Sequence, residues 1–327
     1  MTRTIPLALA VIAAVSLFVT AAAVRGPEGS PAPIATHAAP LPSVQEIAAS
    51  MSEPPVRHMM KPFSHAPAVT LPVPTPPVAA DALPSGGGNL VYHGGPVQTA
   101  PKVYLVYWGW NGVDPANVEP YLTAFFNGVG GTGWANIQTQ YSSITNPTGQ
   151  LAGVWHDNSA LPPTIPDLWL PAEAIRAEAY FGYSADADYI IATPPYSSTA
   201  GFGAEFCAWH STTTDSLSRN VAFTNLPYMP TMPETCGAYS VNGGLPYPGL
   251  LDGVSIVAGH EYAEVVTDPV PVTGWADSTG GAGENADKCA WVTSGPGHMQ
   301  NVAWSTGTFA VQGLWSNAAS GCVITYP

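Results

Sequence analysis

The chain has 327 residues and a formal net charge of −14, from 22 acidic against 8 basic residues. Residues 1–88 balance four of each sign, so the whole excess sits on residues 89–327, where only Lys102, Arg176, Arg219 and Lys288 oppose it. Such a surface excludes nucleic acid and anionic membranes as partners and favours cationic partners or metal ions.

In chain order, Arg3 precedes an apolar run from Ile5 to Val24 that contains Thr20-Ala21-Ala22-Ala23 and meets no charge before Arg25. This layout predicts a secretory signal peptide over residues 1–23. A single membrane anchor is the other use of so long a run. The Ala-rich end favours cleavage, which leaves no membrane attachment and an extracellular or periplasmic location. Residues 24–88 read as a Pro-rich disordered linker or a removable propeptide. Gly26 to Gly88 holds 14 of the 35 prolines, a density that blocks helix and ladder hydrogen bonds. No cysteine lies there to cap a metal, and His37, His58 and His65 receive no role.

Residues 89–327 are long enough for one large domain. Lys102 to Trp110 reads as a buried strand, rich in β-branched and aromatic residues. A helix is expected within Asp114–Tyr141 from the spacing of Val118, Leu122, Phe125 and Phe126. Leu151–His156 reads as a strand, Leu170–Tyr180 as a helix and Asp188–Thr193 as a strand. Glu205–Ser211 and Asn220–Phe223 are further strand candidates. A long helix follows, with Asp252 as its cap and Asp268-Pro269 as its stop. Gly274–Gly283 is Gly-rich, and Asn301–Ile324 holds two or three short strands. The pattern is α+β: a mixed sheet, one central helix and a looser C-terminal half.

Four cysteines, all in this domain, fit an oxidising compartment. Three pairings exist. Cys207–Cys236 with Cys289–Cys322 is the local choice, each closing a loop of about 30 residues. A zinc site built from all four cysteines is disfavoured, because no C-x-x-C pair is present.

The chemistry centres on His260-Glu261-Tyr262-Ala263-Glu264. Ligands at i and i+4 project from one helix face, so His260 and Glu264 are placed to share a metal. Glu261, about 100° round the helix, is placed to take a proton from a water at that metal. Chance produces H-E-x-x-E in roughly one chain in a hundred of this length, so the motif does not decide the matter alone. The carboxylate at the second position leaves Mn²⁺ or Ca²⁺ open beside Zn²⁺. Glu284, 24 residues after His260, is the candidate third ligand. The arrangement resembles zincins whose third ligand is a Glu on a following helix. Asp287, three residues on, would share its helix face and orient a ligand. His210 is the rival third ligand. His156 and His298 are candidates to steady a developing oxyanion, and His93 reads as structural. No G-x-S-x-G elbow supports a serine hydrolase.

Tyr92-His93-Gly94-Gly95-Pro96-Val97, the strand Val103–Gly109, Phe206-Cys207 with Trp209-His210, Ala258–Glu264 and Glu284–Cys289 occur in this order. Together they resemble the EXORDIUM / phosphate-induced protein family, over most of residues 90–290. The resemblance implies an extracellular protein linked to growth and the cell wall, with the His–Glu–x–x–Glu turn and Glu284/Asp287 forming one recurring constellation. It implies no particular reaction and lends no disulfide pattern. The leading expectation is a secreted zinc metallopeptidase of zincin-like fold acting on peptide or protein substrates. Its residues would be His260, Glu264 and Glu284 on the metal and Glu261 as base. The alternative is a non-enzymatic, cell-wall-associated protein that binds carbohydrate or protein.

Overall fold

A computed structural model describes residues 41–63, 88–243, 249–278 and 283–327. The expected signal peptide and the spacer residues 24–40 and 64–87 lie outside them.

Six strands form the main sheet: β1 (Arg57–Met60), β2 (Lys102–Trp108), β3 (Leu151–Asp157), β4 (Ala187–Ala192), β5 (Ala208–Thr214) and β6 (Asn220–Leu226). They lie in the order β1-β5-β6-β4-β2-β3. The four strands from β6 to β3 pair in parallel, while β5 and β1 each pair antiparallel with their neighbours. The sheet is therefore mixed, as expected. The apolar run of β4 is buried at every position, as a strand covered on both faces must be.

Helix α1 (Val44–Ala48) packs on helix α3 (Trp169–Phe181), which in turn packs on β4, β5 and β6. Helices α2 (Val118–Val129) and α4 (Asp252–Thr267) pack on each other. Helix α4 also lies against β1, β5, β6 and the hairpin β7 (Gln300–Trp304) with β8 (Gly307–Val311). A last hairpin pairs β9 (Leu314–Ser316) with β10 (Gly321–Val323). All 16 residues of α4 are buried, so the helix carries no polar stripe. Its close seating uses two glycines. A Cβ on Gly253 would fall 1.8 Å from the Cys236 carbonyl oxygen, and one on Gly259 3.2 Å from the rings of Phe125 and Trp134.

Three expectations need correction. The described residues from Leu41 onward belong to one compact unit, so ordered structure begins well before residue 89. Helix α1 and strand β1 both arise inside the expected spacer, in stretches that contain no proline. Ser43 and Glu46 cap α1 reciprocally: the Glu46 amide donates to the Ser43 hydroxyl (3.2 Å) and the Ser43 amide to the Glu46 carboxylate (2.8 Å). Second, Asp252 is the first helical residue and caps nothing on α4. Its carboxylate accepts from the amides of Val241 (2.8 Å) and Asn242 (2.7 Å), bracing the preceding loop. Third, Glu284 and Asp287 share no helix; a short 3-10 turn begins only at Asp287. The disulfides join Cys207 to Cys236 and Cys289 to Cys322, which leaves no thiol for a zinc site made of cysteines. No helix among the described residues is long and apolar enough to cross a membrane.

Candidate metal centre

Helix α4 runs beneath the antiparallel half of the sheet and turns His260 and Glu264, one turn apart, towards it. Across the gap, His210 on β5 stands directly opposite His58 on β1. Directly paired residues share one face of a sheet, so both imidazoles point at α4. The alternate residues Arg57 and Trp209 stack on each other on the other face.

The segment after the Gly-rich loop brings in Glu284 and Asp287. It is fastened to α4 and the C-terminal hairpins by Asn285 Nδ2 donating to the Ala263 carbonyl (3.1 Å) and the Trp315 amide donating to the Asn285 carbonyl (2.7 Å). The Asp287 amide donates to Glu264 Oε1 (3.0 Å), and the Cys289–Cys322 bridge closes the far end.

Three imidazoles and four carboxylates thus interleave. His260 Nε2 lies 3.0 Å from Glu264 Oε1 and 3.5 Å from Asp287 Oδ1. His210 Nδ1 lies 3.2 Å from Glu261 Oε2 and 3.5 Å from Glu264 Oε2, with its Nε2 3.8 Å from Glu284 Oε2. His58 Nδ1 lies 3.4 Å from Glu284 Oε1, and its Nε2 is 4.0 Å from Glu264 Oε2 and in contact with Asp287. Two triads, His210–Glu264–Glu284 and His58–Glu264–Asp287, have ligand atoms all within 4.8 Å of one another.

The tautomer of His260 follows from its neighbours. Gln312 Nε2 donates to the Ala286 carbonyl (2.8 Å), so Gln312 Oε1 is an acceptor and His260 Nδ1, 3.2 Å away, must donate to it. In the neutral ring, Nε2 then presents a lone pair to two carboxylates, and only a proton or a cation can sit between such groups. The same shortage of donors recurs around it. His210 Nε2, His260 Nε2, Glu261 Oε1, Glu264 Oε2 and both Glu284 oxygens are buried without a hydrogen-bond partner. Unpaired buried acceptors at this density are costly unless a positive charge joins them.

The protonation of these groups follows from the same crowding of acceptors. Burial would lower the imidazole of His210, but its bonds to Glu261 and Glu264 outweigh it and raise the pKa to about 10. His260 rises well above its ordinary value against the same burial, held up by Glu264 and Asp287. Burial and the charges of Glu264, Asp268 and Asp287 push Glu284 far up. Glu264 stays below the usual range, because His260, His58 and His210 overcome burial and the Asp287 charge. Further into the sheet, burial lifts Asp188 to about 8 while the Thr224 hydroxyl donates to it. A mixed imidazole and carboxylate donor set with unpaired atoms fits a divalent cation such as Zn²⁺.

The structure brings together His260, Glu261, Glu264, Glu284, Asp287 and His210, the six residues singled out for this centre. Glu264 and Glu284 form a triad with His210, the rival third ligand, and His260 belongs to neither triad. His156 is elsewhere: it pairs with Glu119 (2.8 Å) on β3, four strand spacings from β5, or about 19 Å. His298 and His93 are bound to the carbonyls of Gly295 (2.7 Å) and Asp277 (2.9 Å). His58, given no role from sequence, belongs to the cluster. Its only signal was a four-residue extended run, Arg57–Met60, between Pro55 and Pro62. Gln312 was also missed. Two surface cavities, of about 190 Å³ near Pro163 and Tyr228 and about 450 Å³ near Ser43 and Arg176, are lined by none of the cluster's residues.

Compared with protein-family models, curated proteins and solved structures, the chain matches none.

Proposed function

We propose that this chain is an exported metal-dependent hydrolase, of zinc metallopeptidase type with a zincin-like arrangement, acting on peptide or protein substrates. The observation that carries it is the lone pair of His260 Nε2, buried against Glu264 and Asp287 with no donor between them. His260, Glu264 and Glu284 would hold the cation, with His210 as the alternative donor from the sheet. The bound cation would lower the pKa of a water towards 7 and polarise a substrate carbonyl.

Glu261 supplies the proton transfer. Its Oε2 is tied to His210, while Oε1 is buried and free of hydrogen bonds, as a base awaiting a water must be. Burial raises its pKa first, and the charges of His260 and His210 pull it back, which leaves a carboxyl above its ordinary range. It would take a proton from the attacking water and deliver it to the departing amine as the C–N bond breaks. Gln312 fixes the ring of His260, and Asp287 orients His260 from the other side.

Two further features support the reading. The disulfides fit an oxidising compartment. His210, His260, Glu261, Glu264, Glu284 and Asp287, drawn from three of the blocks that resemble the EXORDIUM family, lie in this one cluster, whereas His93 of the first block does not. The carbohydrate-binding alternative draws no support from the tryptophans, all ten of which are buried or half-buried.

The test is elemental analysis of the purified chain and its Glu261→Gln variant, with casein and a peptide library as substrates over long incubations. Bound zinc is expected in both, with cleavage slowed about 10²–10⁴-fold in the variant. Absence of any divalent metal from the wild type overturns the metal centre. Zinc without cleavage by any form of the chain, including one in which His58 is replaced, overturns the peptidase reading alone.

A further inference from the structure

The pocket is closed by the protein's own N-terminal segment. The side chains of His210, His260, Glu261, Glu264 and Glu284 are 0% exposed, whereas those of His58 and Asp287 are 11% and 19% exposed. Solvent therefore meets the cluster at these two residues, and one of them stands on β1.

The manner of attachment of β1 is that of an extended peptide added to a sheet edge. Among the described residues, β5 pairs only with β1 and β6. The pairing runs through main-chain groups in register from Arg57↔Ser211 to Met60↔Ala208, and the Cys207 amide donates to the Met60 carbonyl (2.9 Å). Backbone bonds of this kind accept any extended sequence, while alternate side chains select for fit. Met60 is fully buried, Arg57 stacks over Trp209 and pairs with Asp167 (2.8 Å), and His58 turns inward to the cluster. Pro62, which lacks an amide hydrogen, ends the ladder two residues later.

His58 also has the chemistry of a ligand. It reaches Glu264, Glu284 and Asp287 from a four-residue strand at the edge of the sheet. His260, Glu264 and Glu284 supply three donors, the number a catalytic zinc takes from the protein while it keeps a fourth position for water or substrate.

Resting on the metal-centre reading above, we infer that the edge of β5 is the binding site for an extended polypeptide substrate. In this chain Arg57–Met60 occupies that edge, and His58 takes the position at the cation that water and the substrate carbonyl need. The intact chain is therefore a self-occupied form, and activity requires that β1 leave the edge. The same strand shows how a substrate lies: one side chain inward at the centre, its two neighbours outward over Trp209.

The experiment loads the full-length chain and its His58→Ala variant with Co²⁺ and titrates each with acetohydroxamate, a small chelating probe, following the visible spectrum. Metal content and casein cleavage are measured alongside. An intramolecular competitor acts at about millimolar effective concentration or above, so removing it should tighten the probe at least about tenfold. Cleavage should rise with it, and metal content should be unchanged. Equal probe affinity in the two proteins overturns the inference and leaves the metal centre standing. Loss of metal from His58→Ala also overturns it, because His58 would then be a resident ligand. Absence of metal from both overturns the reading on which it rests. His58→Asn, which keeps a small polar group on the strand, replaces His58→Ala if the latter lowers the unfolding midpoint, with the same outcomes.

Discussion

At the scale of single residues, the centre depends on groups that touch no cation. Gln312 is fully buried and donates to the Ala286 and Gly313 carbonyls, which leaves its oxygen for His260 Nδ1. Partners of this kind fix the tautomer and the ring orientation. Gln312→Leu, close in shape, should weaken zinc affinity about 10–100-fold in a competition titration, with little change in fold. An unchanged affinity would mean that His260 is oriented by packing alone. The sequence named His260, Glu261 and Glu264 because helical spacing projects all three from a stretch with a clear stop at Asp268-Pro269. It could not name Gln312, which comes within reach only because the β7–β8 hairpin folds back on α4.

At the scale of elements, α3 carries a buried charge cluster unrelated to the centre. Arg176 is bonded to both Glu173 and Asp157, linking α3 to β3, and all three side chains are at most a tenth exposed. Burial raises Asp157, but bonds from Arg176 and Ser159 outweigh it and hold the carboxyl below its ordinary range. A lowered folded-state pKa gives stability that is present above the unfolded value, near 4. That stability is lost as pH falls through the folded value. Glu173 behaves oppositely: burial keeps it far above its ordinary range, so it favours the protonated form that Arg176 resists. Arg176→Met should therefore cost about 3–5 kcal/mol at pH 7, where the buried Asp157 carboxylate loses its cation. The difference from the wild type should shrink as pH falls, because Glu173 already favours its protonated form and Asp157, once stripped of Arg176, is left with the burial that raises its pKa. Urea melts at pH 7 and pH 3.5 check this, and a pH-independent cost would show that Arg176 acts through its packing on Trp155.

Element boundaries were legible in proportion to the length of their pattern. The seven-residue β2 and the sixteen-residue α4 were found within about two residues. Strand β1 was not, because four residues between prolines give too little alternation to separate a strand from a spacer. Glu284 and Asp287 were placed on a helix by their three-residue spacing, which a tight turn satisfies equally well.

At the scale of the whole molecule, the two disulfides fasten the irregular segments to the regular ones. Cys207 sits at the start of β5 and Cys236 in the loop against which α4 packs; Cys289 follows the ligand-bearing turn and Cys322 lies on β10. Their separations of 29 and 33 residues predict about 3–4 kcal/mol from each in the chain-entropy model. Replacing Cys207 and Cys236 by Ser should lower the unfolding free energy by about that amount in denaturant melts. Retained stability would show that the β5 end is held by packing.

Strand β1 also does something that has nothing to do with chemistry at the cluster. A four-residue rim ended by Pro62 is a poor template for another chain, whereas β5 is seven residues long, rich in Thr and free of proline. Shedding β1 would bare the amide and carbonyl row of β5 to any passing strand, including the same strand of a second molecule. Release of the segment thus trades latency for a sticky margin. Light scattering should show the segment-free protein self-associating in the absence of an extended peptide and dispersing when one is supplied.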